Sequence, residues 1–188
     1  MIEHIMIPLD GSETAERALT HAASLAHLFG ARVTLARVPD MLITPVWNGS
    51  VWATEQVDPE EVRRKAASYL QEVAARAPLA GLRIATATPD HPVAAGLLAA
   101  IDDLGVDLVV MTTHGYSGFR RWLLGSVAEK LAGAAPVPVY VVREEDLPPQ
   151  GAPELRTLLV PLDGSEMAEA ALDTAAMLAR RSGARMVL

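Results

Sequence analysis

Glycine and hydroxyl residues are spaced through residues 112–127 in a way that suits the binding of an anion. Gly115 and Gly118 follow a predicted strand, and without a Cβ they let the backbone approach a ligand closely. Gly125 and Ser126 lie at or just before a predicted helix, whose first N–H groups point outward and attract anions. The pattern equally fits a plain glycine turn in which Ser126 caps the helix.

Two common phosphate-binding motifs are missing from the sequence. There is no Gly-x4-Gly-Lys-Ser/Thr, which marks a P-loop, and no Gly-x-Gly-x2-Gly after the first predicted strand, which marks the usual dinucleotide fold. A nucleotide bound by residues 112–127 would therefore be held in another way.

Strand and helix patterns alternate along the first three quarters of the chain. Short apolar runs predict five strands, with helices after the first four, at residues 5–9, 32–38, 82–88, 107–112 and 137–142. Such alternation gives an α/β fold in which a parallel sheet carries helices on both faces. Ligands of these sheets sit beyond the carboxyl ends of the strands, where Asp10, Val38 and Thr112 lie.

Several residues mark the ends of the predicted helices. Ser12 is predicted to cap the first helix and Gly30 to end it. Asp58-Pro59 opens a second helix that runs to about Ala77, because proline suits the first helical position. Residues 93–104 form another helix, 121–132 contain the last, and residues 39–57 are predicted to be irregular.

An internal repeat organises the chain. Residues 5–35 align with residues 158–188 without a gap, and 18 of these 31 positions are identical. Both copies contain Pro-Leu-Asp-Gly-Ser-Glu, which makes chance agreement very improbable. We expect a complete domain at 1–146, a Pro- and Gly-rich linker at 147–153, and at 154–188 the strand–helix–strand start of a second domain, truncated at Leu188.

Composition argues against several classes of protein. The net charge of −7 disfavours a nucleic-acid or anionic membrane surface, because clustered Lys and Arg bind phosphate backbones. The absence of cysteine excludes disulfides and thiolate chemistry. No signal sequence is visible, and the apolar runs are far shorter than the ~20 residues of a membrane helix. We expect a soluble cytoplasmic protein that binds neither nucleic acid nor membrane.

The sequence resembles the universal stress protein family. Its nucleotide-binding members carry Gly-x2-Gly-x9-Gly-Ser/Thr after the fourth strand, and Gly115, nine residues and then Gly125-Ser126 match this motif from its second glycine onward. Thr112 occupies the position of the first glycine. Asp10 matches the family's aspartate at the end of the first strand. The resemblance covers residues 3–143. Residues 155–188 again resemble the opening third of the family's domain.

The resemblance implies a Rossmann-like sheet with strand order 3-2-1-4-5 and a site for ATP, with Mg²⁺ accompanying it. Pro8 and Val38 would contact adenine, Asp10 would contact the ribose or a phosphate-bound magnesium ion, and the glycines would hold the phosphates. The full implied site comprises Pro8, Asp10, Val38, Met111, Thr112, Gly115, Ser117, Gly118, Gly125, Ser126 and Val127. A second interpretation of Asp10 is a carboxylate that caps the following helix.

Three functions remain open from the residues. The first is an ATP-binding regulatory protein of the stress response, with no dedicated catalysis because no residue has the pattern of a hydrolytic nucleophile or base. The second is a dimerisation module of the same fold in which Thr112 marks a lost nucleotide site. The third is a slow ATP hydrolase or nucleotide transferase.

An exposed last strand at 137–142 predicts pairing with another copy or with a second domain. Only one complete nucleotide site is expected, since the copy at 154–188 lacks the glycine loop.

Overall fold

The computed structural model describes residues 1–39, 45–47, 52–54, 58–90, 92–113, 124–143 and 153–188. Its strands, in chain order, are β1 (His4–Pro8), β2 (Arg32–Ala36), β3 (Pro45–Trp47), β4 (Trp52–Thr54), β5 (Ile84–Ala87), β6 (Leu108–Thr112), β7 (Val139–Val142), β8 (Thr157–Leu159) and β9 (Arg185–Val187). Its helices are α1 (Glu13–Glu16), α2 (Ala18–Phe29), α3 (Pro59–Ala74), α4 (Val93–Leu104), α5 (Ser126–Ala134), α6 (Glu166–Glu169) and α7 (Ala171–Ser182), with a 3₁₀ turn at Ala77–Leu79.

The main sheet has five parallel strands in the order β5-β2-β1-β6-β7. When β3 and β4 are left out and the other strands are numbered in chain order, this order reads 3-2-1-4-5. The predicted strand order is therefore confirmed. Strand β1 lies at the centre, with Met6 opposite Thr34 of β2 and opposite Val109 of β6. The carboxyl ends of β1, β2 and β6 therefore lie side by side, where the strand order reverses.

Helices cover both faces of the sheet, as predicted. Ile5 and Ile7 of β1 pack into one apolar cluster together with α2 and α3, which contributes Leu70. Met6, between them, points to the opposite face and packs with α4 and α5, which contribute Ile101 and Leu131. Alternate residues of a strand face opposite sides, so a strand covered on both sides must be apolar throughout. All five residues of β1 are buried.

The predicted helix signals act where they were expected. The Ser12 hydroxyl accepts a hydrogen bond from the N–H of Ala15 at 3.1 Å and caps α1. The Asp58 carboxylate accepts from the N–H of Glu60 at 3.0 Å and caps α3, whose first residue is Pro59. Gly30 ends α2 with φ +70°, a left-handed conformation that glycine adopts without steric cost.

Some predicted boundaries were wrong by a few residues. Strand β7 begins at Val139 rather than at residue 137, because Pro138 has no N–H to give to the ladder. Helix α3 ends at Ala74, and a 3₁₀ turn takes up the residues after it. Strand β2 ends at Ala36, two residues before Val38.

The prediction that residues 39–57 are irregular was wrong in part. Strands β3 and β4 form an antiparallel pair in which Trp47 lies opposite Trp52. Each strand has three residues, which is too short for an alternating pattern to be recognised in the sequence.

The second copy repeats the local geometry of the first. Strands β8 and β9 pair in parallel and form a sheet of their own, and Ser165 caps α6 by accepting from the N–H of Ala168 at 3.1 Å. Its packing differs, because α7 has no buried residue whereas α2 has seven. It touches α2 through Arg181, whose Nε donates to the carbonyl of Leu28 at 2.7 Å, and it touches the larger apolar cluster through Met177.

None of the helices in the described ranges combines the length and the apolar character needed to cross a membrane.

Candidate functional site

A cavity of about 430 Å³ opens at the carboxyl ends of β1, β2 and β6. Eight of the eleven predicted site residues line it, although they come from four separate parts of the chain. They are Pro8, Asp10, Val38, Met111, Thr112, Gly125, Ser126 and Val127. The other three, Gly115, Ser117 and Gly118, lie outside the described residues, so their part in the site stays a prediction.

Asp10 is held by a tight turn after β1. Its Oδ1 accepts hydrogen bonds from the backbone N–H of Ser12 at 2.9 Å and from the Ser12 hydroxyl at 2.6 Å. Gly11, between them, has φ +92°. The direct cap of α1 is Ser12, so the interpretation of Asp10 as the capping carboxylate is wrong in its simple form. Asp10 instead fixes the rotamer of the capping serine while its carboxyl group stays at the exposed rim of the cavity.

Helix α5 begins at the cavity wall, which its first residues line. Gly125 is its N-cap residue, in an extended conformation, and has no side chain that can accept from the first N–H groups of the helix. The N–H of Gly125 itself donates to the carbonyl of Thr113 at 2.7 Å, which ties the helix start to the end of β6. Ser126 is therefore the first residue of the helix rather than its cap. Gly125 gives these N–H groups no side-chain cap, and the helix dipole favours an anion at this end.

Apolar side chains form the other wall. Leu97 of α4 is buried behind Val38 and Val93, and Met111 closes the wall from β6. This surface belongs to the α4–α5 face of the sheet. Binding cavities commonly combine such an apolar wall with a few placed polar groups. The arrangement suits a ligand with a flat apolar part and an anionic part.

Thr112, at the position of the family's first motif glycine, is the last residue of β6. Only 7% of it is exposed, although it lines the cavity. Its partner in the sheet register is Val142 of β7. The threonine side chain is thus accommodated within the wall of the cavity, whose volume with this side chain in place is about 430 Å³.

Sequence reasoning missed Arg37 as a residue of this cavity. Its guanidinium lies over the ring of Tyr69, with Cζ 4.6 Å from the ring centroid. The Tyr69 hydroxyl donates to Oε1 of Glu16 at 2.8 Å. The pKa of Tyr69 is raised, first by burial and then by this hydrogen bond and by the Glu16 charge, so the phenol stays protonated. The signal in the sequence that could have indicated Arg37 was a charged residue at the end of a predicted strand, directly before Val38.

A model of the universal stress protein family matches residues 1–143.

The chain belongs to the universal stress protein family.

Two relatives illustrate the likeness. A universal stress protein of Methanocaldococcus jannaschii is 31% identical over 144 residues, which cover 77% of this chain and 84% of the relative. A crystal structure of a protein from the universal stress protein family of Burkholderia pseudomallei is 29% identical, with a TM-score of 0.54 over 74% of this chain and 95% of that one.

A third match extends further along the chain. The crystal structure of a universal stress protein from Archaeoglobus fulgidus covers 96% of this chain with a TM-score of 0.72 at 23% identity, and 64% of that chain is matched. At this identity the match shows the fold alone. Its coverage includes most of residues 154–188, so the likeness in fold to a longer universal stress protein extends past the first 143 residues.

Proposed function

We propose that this universal stress protein binds ATP in the cavity at the ends of β1, β2 and β6, and that ATP occupancy regulates its interaction with a partner in a stress response. The observation that carries the proposal is the convergence of eight predicted residues on one cavity beside an uncapped helix start. In the proposed binding mode Pro8 and Val38 contact the adenine, and the N-terminus of α5 binds the phosphates.

The polar and apolar walls fit the two halves of a nucleotide. The N–H groups of Ser126 and Val127 and the Ser126 hydroxyl offer donors to phosphate oxygens. Val38, Val93 and Met111 offer an apolar surface for the base. No described residue of the cavity pairs a nucleophile with a base, so we propose that the protein works through occupancy and population shift, with at most slow hydrolysis.

Asp10 fits a magnesium ion that arrives with the nucleotide. Among the described residues that line the cavity, Asp10 is the acidic one. The described part of the chain contains no group of three His, Cys, Asp or Glu side chains that would hold a metal by itself. Mg²⁺ commonly uses one or two carboxylates together with substrate phosphates, and it keeps several waters. Magnesium would therefore depend on the bound phosphates.

The internal repeat provides a matched control for the experiment. Asp163 occupies the place of Asp10 in the second copy, and its Oδ1 accepts from the N–H of Ser165 at 2.9 Å, just as Asp10 accepts from Ser12. Isothermal titration of the full chain with ATP and Mg²⁺ should give one site per chain. Asp10→Ala should weaken binding by about tenfold, as expected for the loss of an interaction with a charged group. Asp163→Ala should not change it.

Three results would contradict the proposal. They are no heat and no thermal shift with ATP, equal losses in Asp10→Ala and Asp163→Ala, and undiminished affinity in Gly115→Arg. Absence of binding would favour the second candidate, a dimerisation module of the same fold in which Thr112 marks a lost site. A rate of phosphate release in single turnover that depends on Asp10 would favour the third, a slow hydrolase.

We also propose a division of the chain into a complete domain at 1–146, a linker at 147–153 and the start of a second domain at 154–188. The separate two-stranded sheet of β8 and β9 supports this division, as does the shallow contact of α7 with the first domain. Strand β7 lies at the edge of the main sheet, and we propose that it pairs with β7 of a second copy to form a dimer.

A further inference from the structure

Arg37 places a second cationic group on the wall of the cavity, away from the start of α5. The residue follows β2, and its backbone N–H donates to the carbonyl of Ala87 at 3.0 Å, which anchors it to the neighbouring strand. The side chain is half-buried and lines the cavity.

The guanidinium of Arg37 packs against a backbone turn and an aromatic ring. A Cβ added to Gly11 would lie 2.9 Å from Nη1, 3.1 Å from Cζ and 3.1 Å from Nη2. These nearly equal distances show that the guanidinium packs close to Gly11, where a side chain would clash with it. Its Cζ also lies 4.6 Å from the centroid of the Tyr69 ring. With these two packing contacts, the N–H edges of the group are the part that can donate to a ligand.

The ring that supports this guanidinium is itself fixed. The Tyr69 hydroxyl donates to Oε1 of Glu16 at 2.8 Å, and Oε2 of Glu16 pairs with Arg76. Glu16 belongs to α1, which begins directly after the Asp10 turn. A cation whose position is set before binding costs less conformational entropy when it takes an anion.

Within the described part of the chain, no carboxylate or carbonyl oxygen accepts from the guanidinium of Arg37. The nearby Asp10 uses Oδ1 for the N–H and the hydroxyl of Ser12. Arginine has five N–H donors in a fixed plane that matches the oxygens of a phosphate. An arginine that packs against Gly11 and Tyr69 and lines a cavity therefore has the properties of an anion receptor.

Arg37 and the start of α5 lie on opposite sides of β1. Arg37 follows β2, α5 is the next helix after β6, and β1 separates these two strands. Neighbouring strands lie about 4.8 Å apart, so the ends of β2 and β6 are separated by ~10 Å. The Asp10 turn lies between them. One phosphate tail at α5 leaves Arg37 without an anion, whereas a ligand with two separated anionic groups engages both.

We propose that the preferred ligand is a nucleotide that carries a phosphate on a ribose hydroxyl in addition to its 5′ phosphate, and that Arg37 binds this second phosphate. The inference rests on the proposed function, because it requires that a nucleotide occupies the cavity. In the proposed binding mode the ribose contacts the Asp10 turn, and that turn lies between Arg37 and α5. Arg37 is thus the residue that determines specificity for the second phosphate.

The test is titration of the full chain with AMP, ATP, adenosine 2′,5′-bisphosphate and adenosine 3′,5′-bisphosphate. At least one bisphosphate should bind about tenfold more tightly than AMP, the gain expected for charge-assisted hydrogen bonds to one phosphate. In Arg37→Gln this advantage should fall below about twofold. Arg64→Gln, which removes the same charge from an exposed position on α3, should keep it.

Variants of Tyr69 test the positioning of the guanidinium without touching its charge. Tyr69→Phe keeps the ring and should retain most of the bisphosphate advantage, whereas Tyr69→Leu removes the supporting face and should reduce it. Circular dichroism melting of each variant separates this effect from a loss of folded protein.

The outcomes are distinguishable. Bisphosphates that bind no more tightly than AMP, while ATP binds well, overturn the role of Arg37 and leave ATP binding intact. An equal loss of ATP and bisphosphate affinity in Arg37→Gln shows that Arg37 binds the polyphosphate tail, and this also overturns the inference. Absence of binding by all four nucleotides overturns the proposed function together with the inference.

Discussion

Nε2 of His4 lies 2.7 Å from Oγ1 of Thr34, and both side chains are buried within the main sheet. Nδ1 of His4 lies 3.1 Å from the carbonyl oxygen of Leu104. A carbonyl can only accept, so Nδ1 carries a proton, and in the neutral imidazole Nε2 accepts from the Thr34 hydroxyl. The imidazole links β1, β2 and the end of α4. In the second copy these positions are Thr157 and Val187, so this link belongs to the first domain.

We expect His4 to make the first domain less stable in mild acid. Its pKa is lowered from the ordinary value of 6.5, first by burial and then by the positive charge of Arg32, against an opposing effect of Asp107. The unfolded chain therefore takes up the proton more readily than the folded one. The free energy of unfolding should therefore fall as the pH drops below 6.5, with a slope of at most about 1.4 kcal/mol per pH unit for one proton. The decrease should level off below the pKa of His4 in the folded protein.

Urea unfolding at a series of pH values between neutral and mildly acidic measures this effect. The double variant His4→Thr with Thr34→Val, which installs the residues of the second copy, should reduce the pH dependence. His27→Gln, at an exposed position on α2, should preserve it. An unchanged pH profile in the double variant would show that another group carries the dependence.

Substitution of Gly11 should disturb both the turn and Arg37. Gly11 has φ +92°, which side-chain-bearing residues rarely adopt, and an added Cβ would lie 2.9 Å from the Arg37 guanidinium. We expect Gly11→Ala to lower the free energy of unfolding by about 1–2 kcal/mol and to weaken nucleotide binding. Equilibrium unfolding and titration with ATP check the two effects.

Gly164 offers the matched comparison. It has φ +82° in the second copy, and an added Cβ there would meet no atom within 4 Å. Gly164→Ala should therefore strain its own turn and leave nucleotide affinity unchanged. A similar loss of affinity in both variants would mean that backbone strain, rather than the displaced guanidinium, weakens binding.

A chain limited to residues 1–146 should fold and keep its nucleotide site. The five-stranded sheet and both apolar clusters draw their strands and helices from the first domain, whereas α7 contributes only partly buried side chains such as Met177. We expect a small decrease in Tm, because Arg181 no longer reaches the carbonyl of Leu28. Thermal melting and ATP titration of the two chains make the comparison. Loss of cooperative unfolding in the shorter chain would contradict the proposed division into domains.

The role of the β7 edge in dimer formation can be tested without disturbing the rest of the sheet. The carbonyls of Pro138 and Val142 accept from β6, so by the alternation of a strand the backbone groups of Val141 point away from the sheet. Val141→Pro should remove an outward N–H and leave the β6 ladder intact. If β7 forms the dimer interface, this variant should be monomeric in light scattering at micromolar concentration while the unchanged chain is dimeric. A monomeric unchanged chain would contradict the dimer.

Much of the fold was predictable from local chemistry. Largely apolar runs of five to seven residues, between capping and stop signals such as Ser12 and Gly30, are enough to predict a parallel α/β sheet, because strands covered on both faces are mostly apolar. The resemblance supplied the strand order. It also led to the cavity residues, because motif positions such as Asp10 and Gly125 follow strands whose carboxyl ends meet.

The pairing of β3 with β4 and the position of the arginine at the cavity wall were decided by the tertiary structure. Strands of three residues are too short to show a readable alternation in the sequence. Arg37 stood beside Val38 in the sequence with no indication of where its guanidinium would lie. Its position depends on the Gly11 turn and on Tyr69, which is 32 residues further along the chain.

The sequence by itself determined the element order, the repeat and the motif positions, because these follow from residue types over short distances. Only the tertiary structure decided that the guanidinium of Arg37 packs against Tyr69 and Gly11. The physical reason is that a hydrogen bond or a stacking contact depends on side-chain direction and on backbone dihedral angles. Those are set by packing between distant elements rather than by neighbouring residues.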